Sequence, residues 1–304
     1  MELDEQIALE QNGIEQAITE ELIVNETQVE ETKTNFIFEG IDYNNFSLLQ
    51  LASMAESEIT GQSIVKFNDA LRLQMIVLKS QLKNNTEINK DKLQALLDSV
   101  YKTQGFSGDW KAFFKVKNAL LSKVLSRRKG VPISLGILLI EMLKETGFIA
   151  QGICFPSGFI VKVNIDNESL YVDPFNGELV DRKHLELKVR GQLGNHARLT
   201  SNMLEADNNE TIIKRYVNVL KAAYIQSEKI ELALLCSDIL LRLDPDDAFE
   251  VRDRGFLFQQ LDCFQLACND FTFFIEQCPE DPIVNLLKLQ ITQMGDELIT
   301  QTIH

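Results

Sequence analysis

Phe159-Ile160-Val161-Lys162-Val163 and Leu170-Tyr171-Val172, with the pair Asp166-Asn167 between them, are the residues on which the fold class turns. On either side of this stretch apolar residues recur every three or four positions. Here β-branched and aromatic residues crowd around a turn pair instead, the mark of an antiparallel hairpin. The chain therefore reads as α+β, mainly helical with a small antiparallel sheet confined to residues 148–173. Just upstream, Pro132 opens a helix that should run to about Thr146 and end at Gly147, because the missing proline N–H is an orphan in a first turn anyway. Asn118, Leu120, Leu121, Val124 and Leu125 form a helical face before Gly130. Earlier still, the spacing predicts three helices, over 46–49 with Met54, over 64–82 and over 93–100.

Downstream of the hairpin, 191–209 is polar and rich in turn formers, and everything after it returns to helical spacing. Pro245 and Pro279 are 34 residues apart, as are Ala233 and Ala267, and Tyr224 and Phe258. A period of that length belongs to tetratricopeptide repeats. In this register the second copy places Gly255 where two helices approach, Phe258 as the large aromatic, Ala267 as the small residue, Phe271 inside and Pro279 at its end. The first copy supplies Tyr224, Ala233 and Pro245. A small residue on one helix lets the other approach and the aromatic fills the gap, so neither hairpin buries its face alone. A trailing helix follows over about 281–298. The expected organisation is an acidic tail over 1–35, either disordered or a loosely docked helix, a core over 36–200 and all-α repeat helices over 208–300.

The formal charge is −15, and residues 1–31 alone supply ten acids and no base, so the excess lies in the tail. No basic cluster exists beyond Arg127, Arg128 and Lys129, which argues against direct nucleic-acid binding. No stretch of about 18 apolar residues occurs, and the acidic start is the opposite of a signal peptide. A cytoplasmic protein without a membrane span is expected. The five cysteines, Cys154, Cys236, Cys263, Cys268 and Cys278, are an odd set weighted to the C-terminal third, unlike a secreted disulfide framework. Reduced, mostly buried thiols are the expectation. Cys263 and Cys268 are too widely spaced for a CxxC zinc pair, and only His184, His196 and His304 offer imidazoles, so neither metal nor cofactor is expected.

Several motifs occur in fixed order: Gly105-Phe106-Ser107-Gly108-Asp109, then Arg127-Arg128-Lys129-Gly130-Val131-Pro132-Ile133-Ser134-Leu135, Phe155-Pro156, and Asp173-Pro174-Phe175-Asn176-Gly177. Further on stand Val251-Arg252-Asp253-Arg254-Gly255 and Gln277-Cys278-Pro279-Glu280-Asp281-Pro282. On these residues the chain resembles bacterial transglutaminase-like proteins with C-terminal tetratricopeptide repeats, the Sir-B type, over about 40–290. The resemblance implies a mainly helical transglutaminase-like core followed by the repeat helices. In that superfamily a Cys at a helix start attacks a carbonyl, a His on the next strand activates it and an Asp on the following strand orients the His. The positive end of the helix favours the thiolate. By order and context Ser134 resembles the nucleophile position, Gly158 the His position and Asp173 the Asp position. A serine hydroxyl without an adjacent base is a poor nucleophile at neutral pH, so the lost imidazole matters more than the exchange of sulfur for oxygen.

Two functional readings follow. The first is a non-catalytic scaffold or regulatory interaction protein, with a degenerate core and repeats that take a protein or peptide partner. Arg252, Asp253, Arg254, Tyr224 and Phe258 are its binding candidates, although the Arg-Asp-Arg run can equally pin the repeats together as an ion-pair network. The second is a hydrolase or acyltransferase in which Ser134 or Cys154 attacks and an imidazole from elsewhere serves as base. The missing base favours the first, with no catalytic residue expected. Ser134 then satisfies backbone groups in a first helical turn, Asp173 before Pro174 serves as a turn residue, Cys154 is an inert small hydrophobe and His184 and His196 lie at the surface. Arg127, Arg128 and Lys129 either complement a helix C-terminus or offer an anion position. Oligomeric state is not legible in the sequence.

Overall fold

A computed structural model of the chain describes residues 43–82, 87–166 and 168–302. The acidic tail over 1–35, Asn167 of the turn pair and His304 lie outside the described residues. Helix α1 (Leu48–Thr60) begins with a reciprocal cap: the Gln50 N–H donates to Ser47 Oγ (3.2 Å) and the Ser47 N–H to Gln50 Oε1 (2.8 Å). Helix α2 (Ile64–Gln81) starts at Ser63, and α3 (Lys90–Leu97) at Asn89. α3 runs on as a π-helical turn, Asp98–Thr103. The strand pair β1 (Ser107–Gly108) and β2 (Lys129–Gly130) is parallel and flanks two short helices. The single helical face read over 118–125 is divided between them, α4 (Val116–Ala119) and α5 (Leu121–Arg127), because Leu120 is extended.

Helix α6 (Pro132–Glu145) starts on Pro132 as its sequence requires and lies against the sheet. That sheet is larger than the hairpin legible in the sequence: β3 (Ile149–Ile153), β4 (Ile160–Ile165), β5 (Glu168–Asp173) and β6 (Glu178–Val180) run antiparallel in chain order. The two added strands are the edges, where Gln151, Gly152 and Glu178 dilute the β signal. Cys154 follows β3 rather than lying in it. Phe159 locks helix to sheet. A Cβ built on Gly136 of α6 would sit 2.3 Å from its ring, and one on Gly152 of β3 2.5 Å, so only glycine lets the ring enter between them.

After helix α7 (Arg182–Leu193) and a turn-rich connection come α8 (Asn209–Gln226), α9 (Ile230–Leu243), α10 (Ala248–Gln260), α11 (Phe264–Gln277) and α12 (Val284–Thr302). The register read from the 34-residue period appears in the packing. Ala233, Ala267 and Phe271 are fully buried, and a Cβ on Gly255 would meet the Phe271 ring at 2.6 Å. Helix α8 packs on α9 and also on α1 and α4, so from residue 43 onward the chain makes one compact unit.

A buried carboxylate joins these layers. Helix α5 has no side-chain cap of its own, and Glu56 of α1 supplies one, accepting from the Leu121 N–H at 2.5 Å and the Ser122 N–H at 3.1 Å. The Tyr216 hydroxyl of α8 donates to the same group at 3.1 Å. A negative charge at a helix N-terminus with three donors around it recovers its desolvation cost. Glu56→Ala would leave those donors without an acceptor and is expected to lower the unfolding free energy by about 3 kcal/mol, with Glu56→Gln losing less. Urea denaturation checks this, and a loss under about 1 kcal/mol for the alanine variant would show that the cap is dispensable.

Candidate functional site

A cleft of about 820 Å³ opens where the head of α6, the sheet, α7 and α8 meet. Val131, Pro132 and Ile133 form one wall, and Phe155 to Phe159 pass beneath it. Asp173 and Phe175 enter from the end of β5, His184 and Lys188 from α7, and Arg215 from α8. Trp110 and Phe113 close the remaining side from the 3-10 turn Trp110–Ala112 and the residue after it.

The fold brings Gly158 and Asp173 to this cleft and keeps Ser134 behind it. Ser134 is the third residue of α6, fully buried, and its hydroxyl donates to the Ala119 carbonyl at 2.6 Å. The proton a nucleophile would surrender is held by a backbone acceptor. Gly158 stands at φ +154°, where a side chain is strained, and its N–H donates to the Phe155 carbonyl at 2.9 Å. Asp173 Oδ1 accepts from the Phe175 N–H (2.9 Å) in a turn, and its Oδ2 accepts from Lys188 Nζ (2.7 Å). Neither oxygen faces an imidazole.

Cys154 does not line the cleft. Its backbone N–H donates to Asp207 Oδ2 at 2.6 Å, and burial, reinforced by the Asp207 charge, pushes its thiol up to about 12. A group so shifted stays protonated at neutral pH, the opposite of an activated thiolate. His184, expected at the surface, is exposed but stands on the cleft rim with Nδ1 2.7 Å from Asp181 Oδ1. His196 is exposed in the connection after α7.

The two arginines of the basic triplet are engaged in structure, and Lys129 is exposed. Arg127 donates to Asn118 Oδ1 (2.7 Å) and the Lys117 carbonyl (3.1 Å), while Arg128 donates to the Gln104 carbonyl (3.0 Å) and lies over the Phe106 ring. In the repeat region Arg254 grips Asp270 of α11 through two bonds of 2.8 Å and passes over Phe258. Arg252 donates to Asp253 at 2.7 Å and covers the Phe249 and Phe274 rings. Tyr224 must be struck from the ligand-facing candidates: it is 1% exposed, because the repeat packing takes its ring. Phe258 is partly buried against the cluster around Phe271.

The sequence reading missed Trp110, Lys188 and Arg215. Trp110 is the chain's single tryptophan, 77% exposed, with its ring centroid 4.3 Å from that of Phe175. Its place directly after the Gly105–Asp109 motif was the available signal. Nothing local marks Arg215, which reaches the cleft only through the docking of α8. Among the described residues no group of three or more His, Cys, Asp or Glu could hold a metal ion, and no helix is long and apolar enough to cross a membrane.

Comparison with known proteins agrees with this architecture. The transglutaminase-like superfamily profile matches residues 60–218, and a tetratricopeptide-repeat profile matches 220–292. A UPF0162 protein of Vibrio cholerae is 43% identical over 209 residues, 68% of this chain and 77% of that protein. Protein SirB1 of Salmonella typhimurium is 33% identical over 211 residues, covering 69% and 78%. UPF0162 protein BU173 of Buchnera aphidicola is 32% identical over 259 residues, covering 83% and 94%. No solved structure matches the chain. The thiol environment gives a direct check: at pH 8 iodoacetamide should modify exposed Cys263 and leave Cys154 untouched until urea is added, as peptide mass mapping would read. Native labelling of Cys154 at the rate of Cys263 would contradict the raised thiol pKa of this half-buried residue.

Proposed function

This chain belongs to the transglutaminase-like superfamily, among the UPF0162 and SirB1 proteins, and from the geometry of its cleft we propose that it is a non-catalytic scaffold or regulatory interaction protein. The observation that carries this reading is the fate of the nucleophile position. Ser134 is fully buried with its proton held by the Ala119 carbonyl, and the position of the activating imidazole is Gly158. Acyl transfer needs an accessible nucleophile within reach of a base. Cys154, held protonated beside Asp207 and outside the cleft, does not substitute for it.

The repeat region supports the interaction half of the proposal. Tetratricopeptide repeats generally mediate protein–protein contacts, and large apolar side chains stand exposed along these helices, among them Phe249, Leu266, Leu286 and Leu289. A protein or peptide partner fits such a surface. The charged Arg252-Asp253-Arg254 run, by contrast, is spent largely on contacts within the repeats.

The test is turnover. The purified chain, with glutamine-containing peptides and an amine, and with peptide amides and esters, is expected to give no product above background. Ser134→Ala and Cys154→Ala should behave identically to the parent. Product formation that either substitution abolishes, with circular dichroism unchanged, would restore the hydrolase or acyltransferase reading.

A further inference from the structure

The cleft has kept a chemistry that its lost nucleophile does not explain. Its cations are unequal. Lys188 is paired with Asp173 at 2.7 Å, and His184 with Asp181 at 2.7 Å. Arg127, Arg190, Arg242, Arg252 and Arg254 each have a carboxylate partner. Arg215, half-buried in the cleft, pairs with no carboxylate among the described residues, and its recorded contact is the Gly158 carbonyl at 3.5 Å. A half-buried cleft guanidinium with no carboxylate partner among the described residues can take an incoming anion.

Beside it the cleft is aromatic. Trp110 lies tilted on Phe175, and Phe113 follows with its ring centroid 6.4 Å from that of Trp110. An exposed indole over the buried Phe175 ring gains from being covered by an apolar side chain. The charge count sets the anion. With Lys188 and Asp173 paired, the lining keeps one guanidinium, Arg215, and one further carboxylate, Glu178, so a singly charged group held by Arg215 suits the cleft better than a doubly charged phosphate with its larger desolvation cost. The volume, about 820 Å³, suits a short peptide end.

We propose that this cleft binds the C-terminal end of a polypeptide whose last side chain is large and apolar, with Arg215 taking the free carboxylate and Trp110 and Phe175 taking the side chain. The proposal rests on the non-catalytic reading, since a ligand held here is released unchanged. It gives the interaction protein a second recognition surface, apart from the repeat helices.

Because Trp110 is the only tryptophan, the full-length chain reports its own binding. Its fluorescence is titrated with acetyl-Ala-Ala-Ala-Phe bearing a free carboxylate, with the same peptide as its C-terminal amide, and with phenylpropionate, and calorimetry repeats each titration. Saturable binding of the acid is expected, with the amide and phenylpropionate each at least about tenfold weaker. Arg215→Gln should lose about tenfold for the acid and nothing for the amide, with Arg215→Lys between them. Equal binding of acid and amide, parent-like binding by Arg215→Gln with unchanged circular dichroism, or neither spectral change nor heat at millimolar peptide would overturn the proposal. Phenylpropionate binding as tightly as the peptide would overturn the choice of a polypeptide end. Mass spectrometry of the recovered peptide separates the two readings: intact peptide is expected, and cleavage or amide exchange would overturn the non-catalytic reading whatever the affinities show.

Discussion

The helix that begins at Leu121 cannot satisfy its own first amides, and the arrangement of the molecule depends on the carboxylate that does so for it. Glu56 lies 65 residues earlier, buried in α1, and accepts from two of those amides as well as from Tyr216 of α8. A buried carboxylate is tolerable only when its oxygens are fully used, so the positions of α1, α5 and α8 are set together. Two residues along α1, Glu58 pairs with Arg242 of α9, a second link between the first helix and the repeat helices. The same logic recurs inside the repeats, where buried Glu250 accepts from Lys221 and from Ser237 on the two preceding helices.

The head of α6 faces a cleft with Asp173 across it, and the residues that resemble the superfamily's catalytic positions are engaged in packing and turns. Ser134 satisfies the carbonyl of Ala119, the last residue of α4, and so ties the head of α6 to the helix before Leu120. Gly158 occupies a backbone conformation that resists any side chain. Asp173 shapes the turn into Phe175 and holds Lys188. Each of these interactions stabilises the fold.

In the repeats, charge is likewise directed inward while apolar surface is left outside. Arg254 joins α10 to α11 through Asp270, and Arg252 lies across the Phe249 and Phe274 rings. A guanidinium engaged in a bidentate pair or stacked on rings has little left for a ligand. Arg215 differs from these two arginines in having no carboxylate partner among the described residues.

Periodicity and order told a good deal. The 34-residue spacing placed Gly255 at a close approach of two helices and Phe271 inside, Pro132 set the start of α6, and the Phe159 and Leu170 runs gave the central strands, because each is a local constraint on backbone or packing that neighbouring residues carry. The edge strands escaped notice since half-exposed residues carry little β signal, and the break at Leu120 escaped because apolar periodicity is indifferent to one extended residue. The sequence by itself determined most of the helices, the central strands and the family. Only the tertiary structure decided that Tyr224 is buried, that the Ser134 hydroxyl donates to the Ala119 carbonyl, and that Trp110, Phe175 and Arg215 share one cleft. Those facts depend on contacts between residues as much as about a hundred positions apart, and long-range packing leaves no imprint on the local spacing of a single chain.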